Sequence, residues 1–155
     1  MPSYNNSTRS RIADIAAGLR VDKDAVAITG ISTKSLFTVA GGNCLVLGLI
    51  GEVTTIVQTQ ANNTKYISTP TVGTAVDMCA VVDTTAHEVG GLLTITGVLA
   101  TAAVKGDAGA GVHMSNGIVV APGVIGLDTA ASNTGAYEFS IWYVPLKEGA
   151  YIEAA

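Results

Sequence analysis

The chain has 155 residues, 48% of them hydrophobic and only 13% charged, with a net charge of −4 at pH 7. At this length folding removes roughly 68–70% of the surface that the unfolded chain exposes, so one core is feasible without disulfide or metal staples. The acidic balance argues against nucleic acid as the main partner, because such binding rests on Lys and Arg neutralising phosphates, and no stretch reaches the ~18 uninterrupted apolar residues of a membrane span.

The charged share is about half of the usual ~25%. Thr, Ser, Asn and Gly take its place, giving a polar surface that can pair without the cost of desolvating ions. Mixed surface charge keeps small domains apart in solution, so its scarcity favours an oligomer. The charge is also uneven: residues 1–34 hold five basic against three acidic side chains, net +2, and the remainder holds three against nine, net −6. Cys44 and Cys79 lie in apolar runs, where a thiol behaves as a small hydrophobe, and both are expected reduced and buried. Residues 1–10 are polar and offer no apolar signal region, which predicts a protein made and kept in the cytoplasm unless it leaves inside a particle.

In chain order, residues 1–30 read as an N-terminal arm or short helix and residues 31–155 as a single β domain. Ile12, Ile15, Ala16 and Leu19 fall at i, i+3, i+4 and i+7, one face of a helix, with Ser10 as N-cap and Gly18 weakening the last turn. A helix this short is marginal alone. Two readings stay open: it packs on its own domain, or it is an arm that orders against a neighbour, with Arg9, Arg11, Ile12, Ile15 and Leu19 as contact residues.

From Ser35 onward short apolar or alternating runs are separated by Gly, Asn, Asp and Pro, the pattern of strands and turns. Strands are predicted over Leu36–Ala40, Cys44–Thr55, Lys65–Thr69, Val76–Val82, Leu92–Leu99, Gly117–Ala121, Val124–Leu127, Tyr137–Pro145 and Ala150–Ala154. Gly41-Gly42-Asn43 reads as a hairpin turn between the first two. Leu45, Leu47 and Leu49 are expected to share a face, with Gly48 and Gly51 admitting a bulge or a close backbone. The run Ala102–Asn116 reads as a long loop. In the strand near the C-terminus Tyr137, Phe139, Ile141 and Tyr143 point one way, and Glu138, Ser140, Trp142 and Val144 the other. Trp142 beside Val144 suggests that this second face is covered too, which makes Trp142 a further candidate contact. The strand Gly117–Leu127 and the C-terminal hairpin are expected to offer edges to a partner's sheet. So many short strands imply an all-β sandwich or barrel, jelly-roll-like in layering.

The search for chemistry gives no catalytic, cofactor-binding or metal residue. Asp83, His87 and Glu88 offer three potential ligands, but the chain lacks the further spacing of a zinc site, and the segment reads as a solvated turn. No Gly-x-Ser-x-Gly elbow occurs. Gly106-Asp-Ala-Gly-Ala-Gly111 lacks the Lys-Ser/Thr ending of a phosphate loop. A sugar platform on Trp142 or Tyr66 is a minor alternative, since aromatics are few and most alternate into the core.

The runs Ser35-Leu-Phe-Thr-Val-Ala-Gly-Gly-Asn-Cys-Leu-Val-Leu, Gly51-Glu-Val-Thr-Thr and Tyr137-Glu-Phe-Ser-Ile-Trp-Tyr-Val-Pro-Leu-Lys-Glu-Gly-Ala-Tyr-Ile are similar to small structural proteins of tailed bacteriophages, among them head decoration (auxiliary capsid) proteins. The resemblance covers most of residues 30–155 in texture and phrase and carries no residue-level motif. It implies a non-enzymatic, β-rich protein without cofactors, commonly a homotrimer. Such a protein docks on the major capsid protein at the outer surface of the virion after the shell expands, and helps it resist the pressure of packaged DNA. A receptor- or glycan-binding module of a phage tail or fibre is the alternative.

Overall fold

A computed structural model describes residues 18–155. Its twelve strands among these residues are β1 (Leu19–Ala27), β2 (Thr33–Ala40), β3 (Cys44–Thr55), β4 (Asn63–Pro70), β5 (Val76–Asp77), β6 (Val82–Asp83), β7 (Leu92–Thr94), β8 (Val104–Gly106), β9 (Ile118–Val120), β10 (Gly123–Thr129), β11 (Ala136–Pro145) and β12 (Tyr151–Ala154). Antiparallel ladders gather them into two six-stranded sheets. The first runs β1-β11-β3-β7-β8 with β9 also on β3; the second runs β12-β2-β10-β4-β5 with β6 also on β4. The fold is a β-sandwich, not a closed barrel.

Alternation explains why the sheets stack. Along β11, Tyr137, Phe139, Ile141 and Tyr143 are buried while Glu138 is exposed and Ser140, Trp142 and Val144 are half-buried. Facing them from the second sheet are Phe37, Val39, Tyr66, Ile125 and Leu127, all buried. The Tyr66 ring meets Phe139 edge-on at 6.2 Å between centroids, and its hydroxyl donates to the Leu93 carbonyl at 2.9 Å, crossing from one sheet to the other. Gly51 makes room for this: a Cβ there would lie 2.8 Å from both the Phe139 ring and the Tyr66 hydroxyl.

Several expected elements are placed differently. Leu19, expected on a helical face, begins β1, which pairs along β11 and so brings residues 19–27 of the expected arm into the first sheet. Val21 and Val26 both pack against the core although they are five residues apart, because a bulge between Lys23 and Val26 restores the inward phase. Ile12, Ile15 and Ala16 lie outside the described residues. In β3, Leu47 is the extra residue of a bulge opposite Trp142 and Tyr143, so Leu49 turns inward while Leu45, Leu47 and Ile50 stay on the outer side. Gly41-Gly42-Asn43 is not a hairpin turn: β2 and β3 belong to different sheets, and the glycines carry the chain across the sandwich. Lys147–Gly149 does the same between β11 and β12, so there is no C-terminal hairpin.

The strand expected over Val76–Val82 divides into β5 and β6. Between them Ala80 leaves β4 to bridge Ala102 in parallel, and Met78 and Cys79 fold inward. The run Leu92–Leu99 is strand only to Thr94; Gly97 takes a φ of +89° in the turn that follows. β8 occupies part of the expected loop. Of the Gly117–Leu127 stretch, β10 is flanked on both sides, by β2 and β4, and offers no edge; β9 has only β3.

Candidate assembly surfaces

The outer face of the first sheet is built around Trp142. The ladder puts Arg20 of β1 on one side of it and Gly48 of β3 on the other. The Arg20 guanidinium lies 5.3 Å from the ring centroid, a cation–π contact. Arg20 also pairs with Asp22 at 2.8 Å. The Ser140 hydroxyl, donating to Asp22 at 2.6 Å, and then Arg20 hold that carboxyl below its ordinary range. Gly48 has no space for a side chain, since a Cβ would sit 2.9 Å from the His113 ring and 3.2 Å from that of Trp142. The result is a groove of about 290 Å³ lined by Leu47, Ile50, His113 and Trp142. Leu19 stands on the neighbouring rung, opposite Tyr143, and is 40% exposed. Adjacent rungs point to opposite faces, so Leu19 shares the side of Tyr143 and Val21 and the structure does not bring it onto the face of Trp142; Arg9, Arg11, Ile12 and Ile15 lie outside the described residues.

A second surface was foreshadowed in the sequence only in part, by the edge expected of Gly117–Leu127. Between β9 of one sheet and β5 of the other lies a cleft of about 190 Å³, lined by Pro70, Val76, Met78, Leu99, Val119 and Ala121 among others, none with an ionisable side chain. Val76, Leu99 and Val119 are each about half exposed. Both bordering strands have a single ladder neighbour, β3 for β9 and β4 for β5. The one local signal was Val119, apolar on the outward rung of a strand whose Ile118 and Val120 pack toward the core.

The acidic turn around His87 is a structural knot. His87 is buried, contrary to the expected solvated turn. Its Nε2–H donates to the Gly106 carbonyl at 2.8 Å, which leaves Nδ1 to accept from the Tyr137 hydroxyl at 2.9 Å. Burial pushes its pKa below the ordinary value and raises that of Tyr137. Asp83 is spent on the turn itself, accepting from the backbone of Asn62 and Thr85 and from the Thr85 hydroxyl. Among the described residues no group of three or more His, Cys, Asp and Glu is placed to hold a metal ion. Tyr66 is fully buried and cannot serve as a sugar platform. Cys44 and Cys79 are buried free thiols, as expected, with burial raising the pKa of each.

No protein-family model, curated protein or solved structure matches the chain.

Proposed function

We propose that this chain is a structural protein of a tailed-bacteriophage virion. In this reading it decorates the outer surface of the capsid, binds the shell of the major capsid protein as a homo-oligomer, and stabilises it. The observation that carries the reading is the uncharged cleft between β9 and β5, an apolar surface set between two strands that each have one ladder neighbour. A strand from a partner can extend either ladder, with backbone hydrogen bonds giving affinity and Val76, Leu99 and Val119 giving apolar contact. The sparse charge of the chain and its resemblance in texture to head decoration proteins support the same reading.

A cementing protein acts by repetition. One specific interface buries about 1,200–2,000 Å², and symmetric copies bound around a shell multiply modest contacts into avidity. The function needs shape, a sparsely charged surface and a rigid body, and it assigns no residue a catalytic or cofactor-binding role.

Cosedimentation tests this. The chain is mixed with shells assembled from the major capsid protein of the same virion, before and after expansion. Saturable pelleting with expanded shells is expected, together with a higher temperature of shell disruption. Free protein left in the supernatant at every concentration overturns the reading. Saturable binding on a glycan array by a chain that ignores shells would establish the tail or fibre alternative; Trp142 is poorly disposed for that, because Arg20 already covers one face of its ring.

A further inference from the structure

Gly18 directly precedes β1. Built as alanine, Gly18 would place its Cβ 3.3 Å from the backbone N and O of Tyr143 and 3.3 Å from Cδ1 of Leu47. Leu47 belongs to β3, the strand beyond β11, and lies on the outer side of the sheet. Gly18 thus lies against β11, with Leu47 of β3 beside it. Gly18 has a φ of +80°, the left-handed conformation that turns the chain there into the edge strand.

Two further features of this face bear on what lies over it. The groove at Leu47, Ile50, His113 and Trp142 is apolar on three sides and starts at the residue Gly18 touches. Beside it Glu138 of β11 stands directly opposite Glu52 of β3, both exposed. Like charges opposed on one rung are destabilising unless a cation lies near them. Asp24 and Glu138 also line one shallow hollow at the β1 edge, where Arg20 and Lys23 stand beside Asp22 and Asp24 while Glu52 lies outside it.

We infer that the groove beside Trp142 is the seat of this chain's own residues 1–17, with Ile12 and Ile15 filling it and Arg9 and Arg11 answering the acidic rung. The reach is sufficient. Ile15 is three residues from Gly18 and Ile12 six, spans of up to about 10 and 20 Å at ~3.3–3.6 Å per residue, whereas neighbouring strands are only ~4.8 Å apart. Ile12 and Ile15 are three apart and share a side in a helical turn. Occupancy of that groove by residues 1–17 would shield the one tryptophan of the protein.

That tryptophan reports directly. Since Trp142 is the only one in the chain, its emission maximum and its quenching by acrylamide read the groove alone. The full chain is compared, over a dilution series, with a deletion of residues 1–17 and with the double variant Ile12→Asp/Ile15→Asp. The double variant keeps every residue of β1 to β12, and far-UV spectra matching the full chain verify the sandwich in all three. Expected are a red-shifted emission and steeper quenching in both variants, independent of concentration. Emission and quenching identical in the three proteins would overturn the inference. So would a shift in the full chain that grows on dilution, which would assign the groove to the segment of a second copy. The experiment uses the isolated chain and no shell, so its outcome is separate from that of the cosedimentation.

Discussion

At the scale of single residues, the side chains that hold the sandwich together are of two kinds, and only one was legible in the sequence. Tyr137, Phe139, Ile141 and Tyr143 were readable because period-2 alternation is a local property. His87 was not. Its polar neighbours gave the segment a solvated character, and its burial comes from Tyr137 and Gly106, fifty and nineteen residues away. The consequence is a pH dependence whose sign follows from the lowered pKa. Below about 6.5, the ordinary value, unfolded chains take up a proton that the folded His87 refuses. Stability present above that pH therefore falls as the pH drops below it, until the folded-state value is reached. Urea unfolding at pH 7.5 and 5.5 should show a lower midpoint at 5.5, and His87→Gln should flatten this difference; equal slopes in the two proteins would refute the assignment. Gly51 gives a second prediction at this scale. Gly51→Ala drives a methyl into Phe139 and Tyr66, both buried and unable to yield, and overpacking of this kind costs about 1–3 kcal/mol. A urea midpoint like that of the parent would show that the core has slack there.

At the scale of elements, β3 and β11 stood out in the sequence at nearly their full lengths, since long alternating runs leave few other solutions. β1 was hidden by its own bulge: with Val21 and Val26 five residues apart, no regular alternation is visible until the ladder with β11 is known. The turn at Gly41 was recognised, but its role was misassigned. Left-handed glycines suit a hairpin and a crossover alike, and which strand lies beside β2 is decided by β10 and β12, far along the chain. The two crossovers touch: a Cβ on Gly41 would lie 2.0 Å from the Gly149 carbonyl oxygen, at a φ of +74° that already disfavours a side chain. Gly41→Ala should thus lose more than the ~1 kcal/mol or so of the left-handed conformation alone, measured as a fall in melting temperature. An unchanged melting temperature would mean that the two crossovers separate freely.

At the scale of the whole molecule, two of the sandwich's outer strands are already engaged with each other. Lys23 of β1 donates to the Ala155 carbonyl oxygen just beyond β12, bringing the two sheets together on that flank. On another flank β9 and β5 border the apolar cleft. The sparse charge of the sequence pointed to association, but it could not locate the surface, because Val76, Leu99 and Val119 converge only after both sheets form. Val119→Glu places a charge on an exposed rung, so it should change folding stability by no more than ~0.5 kcal/mol while abolishing pelleting with expanded shells. Retained binding by a folded Val119→Glu protein would exclude the cleft as the contact. The assembly reading as a whole is met most directly by electron cryomicroscopy of expanded shells incubated with saturating protein. Discrete sandwich-shaped density is expected at symmetry-related positions on the outer surface, with the β9–β5 flank toward the shell. Shells bare at saturation, beside a chain that remains a monodisperse monomer, would contradict it.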